Sequence, residues 1–291
     1  MNVLADMANR LATRFVNQLS LTTPTVFLAG RRPGPGALRV QLRRALMGQK
    51  RVQRYDVLYP EDLFGELVGK KPGLDLLSLE NTLATHANAT IILLEGPGSI
   101  AELGAFTNNP ELRRKLVVVV DKRYRRDRSF IMLGPVALLR SCRSEAVIMH
   151  NLSKPDPEVL ATDVRRAVRL IMQDTRVDQT LNNPIRTQYL FLAATYLLGA
   201  ATLATLQSLL AYTGDCQELQ TTIVSRIAVN ILMRRQEVAK RGRTYHLTTT
   251  GLERVRGILD ASPTGYKFTR LFDECRLDIL TATRRVPGSA A

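Results

Sequence analysis

The chain has 291 residues, 45% of them hydrophobic, which is enough for one large or two ordinary domains with real cores. Its three cysteines, Cys142, Cys216 and Cys275, are far apart and form no CxxC pair. With three histidines in all, a zinc site has no support, and reduced thiols in a cytoplasmic protein are expected. Aromatics are 5% and tryptophan is absent, so an aromatic cage or base-stacking platform is not expected to dominate. The net charge of +15, divided as +9 over residues 1–175 and +6 over 176–291, suggests a polyanionic partner, most simply nucleic acid.

Residues 1–24 open the chain with an amphipathic spacing interrupted by Asp6, Arg10 and Arg14. That suits a helix and lacks the unbroken apolar centre of a signal peptide. From residue 25 to 175, short apolar runs alternate with helical patterns. The runs are TVFLAG (25–30), YDVLYP (55–60), ATIILLE (89–95), KLVVVV (115–120) and AVIMHN (146–151). Strands so continuously apolar are buried on both faces, which predicts a doubly wound α/β domain with a parallel sheet. Ligands of such sheets sit beyond the carboxyl ends of the strands, so each strand-to-helix loop is a candidate.

Those loops differ in chemistry. The first, GRRPGPG (30–36), brings Gly30 and Arg31, with backbone and guanidinium suited to phosphate. It is neither a P-loop nor a GxGxxG fingerprint. The second begins at Tyr59 and carries Glu61 and Asp62. The third, EGPGSIAELGAF (95–106), offers Glu95, Gly98, Ser99 and Glu102. Ser99 and Glu102 have the spacing of a capping box, and also stand where a ligand would meet a helix N-terminus. The fourth, DKRYRRDRSF (121–130), is strongly basic, a pattern that is usually a solvated loop. Glu80, in LLSLENTL, is poorly placed on an apolar helix face unless it points into a cleft. Carboxylates can serve as nucleophiles or stabilise an oxocarbenium-like centre, yet the spacing alone does not select glycosidic cleavage over simple nucleotide binding. The histidines do not fall near these loops by this reading.

Residues 174–188 lose periodicity and contain Asn-Asn-Pro, marking a boundary. About fifty helical residues follow, among them the apolar stretch YLFLAATYLLGAATLATLQSLLAY (189–212), which reads as buried helix rather than membrane span. Two extended pieces then flank Arg241-Gly242-Arg243, and a helix closes the region. Over 189–285 this is the order of a winged helix, with 219–236 as recognition helix. Arg234, Arg235, Lys240, Arg241 and Arg243 are its candidate nucleic-acid contacts.

The motifs YPEDLFGEL, LLSLENTLA, ATIILLEGPGSIAELGAFTNNPELRRKLVVVVDK and RSFIMLGPVALLR resemble the effector proteins of retron antiphage systems, which pair a nucleoside deoxyribosyltransferase-like domain with a C-terminal winged helix. The resemblance implies that residues 25–175 are the catalytic domain, with Glu102 as nucleophile and Gly98, Ser99 and Gly30 around the substrate. It implies that Glu80 is a second catalytic carboxylate. Two positions depart from the wider superfamily: Asn88 stands where an acid usually opens the strand, and Glu rather than Asp stands at 80. The implied activity is hydrolysis of NAD⁺ as substrate, with no bound cofactor or metal. Nicotinamide leaves neutral and needs no proton donor, while Tyr59, Gly30, Arg31 and Ser99 orient ribose and phosphate. The implied partners are a retron reverse transcriptase and its branched RNA-linked DNA (msDNA), with a homo-oligomer or filament compatible and no membrane. Two alternatives stay open: an N-glycosidase or deoxyribosyltransferase for other nucleotides, and a non-enzymatic winged-helix DNA-binding regulator.

Overall fold

The computed structural model of the chain describes residues 2–22, 24–31, 34, 36–48, 55–59, 84, 86–175, 180–260 and 265–284. The chain forms two compact units that are not consecutive halves. Thr23–Asp178 makes one, and Met1–Thr22 joins Gln179–Ala291 in the other. The first segment is a continuous helical rod: α1 (Val3–Arg10), a π-helical stretch at Leu11–Val16, and α2 (Asn17–Thr22). Asn2 caps it, its side-chain Oδ1 accepting from the Leu4 and Ala5 amides.

The α/β unit runs β1 (Thr25–Ala29), α3 (Leu38–Met47), β2 (Asp56–Leu58), β3 (Ala89–Leu93), α4 (Pro97–Asn108), β4 (Leu116–Asp121), α5 (Pro135–Cys142), β5 (Val147–His150) and α6 (Pro157–Asp174). The sheet order is β2-β1-β3-β4-β5, and every pairing is parallel. This is the doubly wound topology expected from the sequence. All residues of β1, β3 and β4 are buried, as β-branched runs covered on both faces must be. On one face the stripes Leu38, Leu42 and Leu46 of α3 and Leu160, Val164 and Ile171 of α6 pack against Val26, Ile91 and Val117. The two helices are tied by the Arg165 guanidinium, which donates to the Ala45 carbonyl at the carboxyl end of α3.

Asn88 joins the strands at the end away from the loops. Its Oδ1 accepts from the Thr25 amide at 2.8 Å, and its own amide donates to the Thr25 carbonyl at 2.8 Å. The residue that departs from the superfamily pattern thus fixes the β1–β3 register at the amino edge. The helical pattern SFIMLGPVALLRSC after β4 forms two pieces, Phe130–Leu133 and α5, because Pro135 has no N–H to continue the first.

The second unit continues with α7 (Pro184–Leu198), β6 (Ala201–Thr202), α8 (Leu203–Tyr212), α9 (Glu218–Arg234), β7 (Val238–Arg241), β8 (Thr244–Leu247), α10 (Thr249–Leu259) and α11 (Gly265–Arg284). The three short strands form an antiparallel sheet in the order β6-β8-β7. Helix, strand, two helices and a hairpin are the winged-helix arrangement. The apolar stretch 189–212 is not one helix, as the hydropathy alone suggests. Gly199, at φ +73°, turns the chain out of α7, and the two-residue β6 pairs with Tyr245 and Thr244 before α8 begins. A strand of two residues has no periodicity to announce it. Helix α7 is the central helix of its unit: from Pro184 to Thr195 every residue is buried, the polar Arg186 and Gln188 included. Among the described residues, no helix is long and apolar enough to cross a membrane.

The N-terminal rod completes this core. Met7, Leu11, Phe15 and Leu19 are buried, and the Phe15 ring meets Phe268 and Phe272 of α11 edge-on, with centroids 5.0 and 5.2 Å apart. Arg10 pairs with Asp278, and Arg14 lies 3.9 Å from Glu274. Phe15→Ala should cost about 3–5 kcal/mol of stability through the cavity it leaves. Urea unfolding of wild type and variant measures that difference. The thiols offer an independent readout. Exposed Cys142 should react with a thiol reagent in the folded protein. Cys275, fully buried and pushed up to about 11 mainly by that burial, should react only after unfolding.

Candidate active site

A sheet of order β2-β1-β3-β4-β5 reverses its winding between β1 and β3, and the crevice beyond their carboxyl ends is the expected ligand site. Gly30 is the first residue past β1. It has φ +149°, and a Cβ there would stand 3.1 Å from the Leu93 Cβ on β3, so only glycine lets the two loops approach. The same Cβ would be 3.6 Å from Oε2 of Glu95. Glu95 therefore sits at the switch point, against the β1 loop, and accepts from the Arg31 backbone amide. Burial pushes its carboxyl above the usual carboxylate range, against the opposing pull of that bond and of the Arg39 and Arg31 charges.

Arg39 organises this corner. It is fully buried on the apolar stripe of α3. Its Nε and Nη2 donate to the Leu28 carbonyl at 3.0 and 2.7 Å, and Nη1 donates to the Gly30 and Arg31 carbonyls at 3.3 Å each. The guanidinium lies 4.4 Å from the Tyr59 ring centroid, and Arg43 covers the ring at 4.6 Å. Tyr59 itself is buried, and its hydroxyl donates to the Arg39 carbonyl at 3.3 Å. That hydroxyl holds α3 to the end of β2.

The β3–α4 turn resolves the ambiguity of Ser99 and Glu102. The helix starts at Pro97, with Gly96 before it as N-cap, so Ser99 is inside the first turn. Its buried Oγ accepts from the Glu95 and Gly96 amides at 3.1 Å each and donates to the Gly96 carbonyl at 2.8 Å. A Ser99–Glu102 capping box is thus not formed: Ser99 closes the turn by itself, and Glu102 belongs to the second turn. There Glu102 is half-buried with Oε2 buried, and it shares a helix face with Gly98, which is exposed and has open space around it. Arg31 is exposed beside the crevice. Glu61, Asp62 and Glu80 lie outside the described residues.

Between the carboxyl ends of β3, β4 and β5 opens a cavity of about 460 Å³, lined by Glu95, Ile100, Asp121, Tyr124, Met132 and Leu152 among others. Its size is that of a small-ligand site, on the order of 300–1,000 Å³. Glu102 is not among its lining residues, so Glu95 links the switch-point crevice to this cavity. Asp121 accepts from the Arg123 amide at 3.0 Å, and its carboxylate is 3.6 Å from the Arg123 side chain. Opposite it in register is His150, which the sequence reading did not place at the loops. Its Nε2 accepts from the Asp156 amide at 3.2 Å, so Nδ1 carries the proton of the neutral ring. Burial and the Lys122 charge lower its pKa.

In the winged-helix unit, Lys240, Arg241 and Arg243 are exposed on the β7–β8 hairpin, with the Lys240 ammonium 6.0 Å from the Tyr245 ring. Arg234 is exposed at the end of α9, and Arg235 is half-buried just after it. The five therefore belong to one strand–turn–strand and the helix end that leads into it.

An α/β unit with carboxylates around a switch point, followed by a winged helix, defines a two-unit protein that pairs a ligand-binding sheet with a helical module. Residues 35–240 match the family described as STM3845 retron effector protein, and the chain belongs to that family. It is 31% identical over 241 residues to the "Retron Ec86 putative ribosyltransferase/DNA-binding protein" of Escherichia coli, an alignment covering 79% of this chain and 76% of that one. It is 29% identical over 154 residues to the corresponding Retron Ec73 protein of Escherichia coli, covering 49% of this chain and 48% of the relative.

Glu95 yields a pH-dependent expectation. The folded carboxyl holds its proton more tightly than the unfolded one, so stability falls as pH rises from the ordinary carboxylate range through the raised folded value. Glu95→Gln keeps the acceptor for the Arg31 amide and does not ionise. It should melt higher than wild type at neutral pH, with the difference vanishing in acid below both values. Thermal unfolding at a series of pH values measures this.

Proposed function

We infer that this retron effector cleaves an N-glycosidic bond at a ribose C1′, with NAD⁺ as substrate and nicotinamide as leaving group. The observation that carries the reading is the β3–α4 turn. Ser99 closes it with its own hydroxyl, and Glu102, one turn further along α4, shares its helix face with the bare backbone of Gly98. The relatives' ribosyltransferase names favour chemistry at the same sugar carbon.

In this mechanism Glu102 faces C1′ as the glycosidic bond breaks, either by forming a glycosyl ester or by stabilising the oxocarbenium-like centre. Nicotinamide departs with the bond's electron pair and becomes neutral, so no acid has to protonate it. Water then attacks C1′, its proton is released, and ADP-ribose is the second product. The first amides of α4 and the Arg31 guanidinium supply positive potential for the pyrophosphate. Glu95, beside Gly30, orients the ribose from the β1 side, and Tyr59 acts indirectly by holding Arg39. Glu80 remains in the proposal as a second catalytic carboxylate on the resemblance alone. The exposed hairpin cations support docking to the reverse transcriptase and msDNA that hold the effector silent.

Purified protein incubated with NAD⁺ should release free nicotinamide. Glu102→Gln should lower that rate by about 100-fold or more while leaving thermal unfolding unchanged, a loss typical of removing a group that acts only in the transition state. A Glu102→Gln protein as active as wild type would sink the assignment. Other nucleotides in the same assay, with base release followed, separate this reading from a broader nucleotide N-glycosidase.

A further inference from the structure

Between β4 and the Phe130–Leu133 turn the chain reads KRYRRDR (122–128), five cations and one acid, and the reaction above uses little of its outward side. Such a run is most often a solvated loop. Here three further observations accumulate. Lys122, Arg125, Arg126 and Arg128 are exposed, and none of them makes a salt bridge among the described residues; the ion pair of this segment is Arg123 with Asp121. Lys122 and Arg125 converge with Arg140 of α5 around an open depression of about 650 Å³ whose apolar floor is Val147 and Met149 of the edge strand β5. Among the described residues, no acid lines that depression. Two positions after Arg128 stands Phe130, with 83% of its surface in water.

We propose that this surface of the α/β unit binds single-stranded nucleic acid, with phosphates in the depression between Lys122, Arg125 and Arg140 and an unpaired base stacked on Phe130. The chemistry selects the occupant. A concave site lined by three cations, with no acid among its described residues, complements a polyanion, and an exposed aromatic five residues after Arg125 in the chain supplies the face that unpaired bases use without regard to sequence. A duplex keeps its bases stacked inside and offers Phe130 none. A bilayer is flat and would not reach cations around a depression, and a single helical turn is too short to lie in its interface. The surface and the winged-helix hairpin belong to different units, and the proposal stands whether or not the crevice hydrolyses NAD⁺.

The test uses the full chain and a fluorescein-labelled oligothymidylate followed by anisotropy over a range of salt. With Arg241→Ala and Arg243→Ala present to silence the hairpin, binding should persist. Adding Arg125→Glu and Arg140→Glu should weaken it by about tenfold or more and reduce the salt slope by about 1.4, the value for two phosphates on a single strand. Phe130→Ala should weaken it by about fivefold or more, the loss expected for one stacked base. All of these side chains are exposed, and unchanged melting of each variant shows that the fold is intact. Loss of all binding with the hairpin changes alone would overturn the proposal. So would affinity unaffected by Phe130→Ala or by the charge reversals, or a duplex bound as tightly as the single strand. Sedimentation with phosphatidylserine vesicles that depends on Phe130, without oligonucleotide binding, would assign the surface to a membrane and overturn it equally.

Discussion

One buried cation holds the carboxyl edge of the sheet in shape. The Arg39 guanidinium has no access to water, and a charge in that position is tolerable only if carbonyl dipoles replace its hydration. The Leu28, Gly30 and Arg31 carbonyls do so, which means that the chain leaving β1 cannot take another path without exposing an unsolvated charge. The Gly30 turn, the approach of Leu93 and the seat of Glu95 all follow from that path. Tyr59 is drawn in as the ring beneath the cation, so the end of β2 is fixed by the same group.

Around α4 two electrostatic effects oppose one another, and their sizes decide the outcome. No acid occupies the first turn of the helix, so its positive end is not compensated from within. A helix terminus favours a nearby anion by about 0.3–1 kcal/mol, less than one pKa unit. Glu95, just before that terminus, is nonetheless shifted upward, so burial outweighs both the dipole and the neighbouring arginines.

The sheet was legible because buried parallel strands leave the simplest trace a sequence can carry. Val117 to Val120 and Ile91 to Leu93 have no polar alternation, and the structure buries all of them. The winged-helix order was legible from the basic hairpin, though β6 and the break at Gly199 were not, since two residues give no period. At the site, the loops that carry Gly30, Glu95 and Ser99 could be placed, but the division of labour within them could not. Whether Ser99 is the N-cap or lies inside the first turn depends on where Pro97 starts the helix, a shift smaller than pattern reading resolves. Arg39 is not among the residues that the sequence singles out. Its spacing to Leu42 and Leu46 puts it on the apolar stripe, and that was the available signal. His150 was overlooked because it ends a strand instead of sitting in a loop.

The helix over residues 3–22 finds its partners, Phe268 and Phe272, nearly a whole chain length later. During synthesis it leaves the ribosome before the α/β unit, with Met7, Leu11 and Phe15 facing water, and waits while that entire unit is made. The α/β unit has all five strands in hand before the winged helix is complete, so it can fold while the other unit is still in two pieces. Closing that long loop is entropically slow, and the apolar face of the waiting helix is a natural client for a chaperone. A frameshift or nonsense codon late in the chain would thus leave a folded sheet carrying an orphaned sticky helix, a species more prone to aggregate than to act.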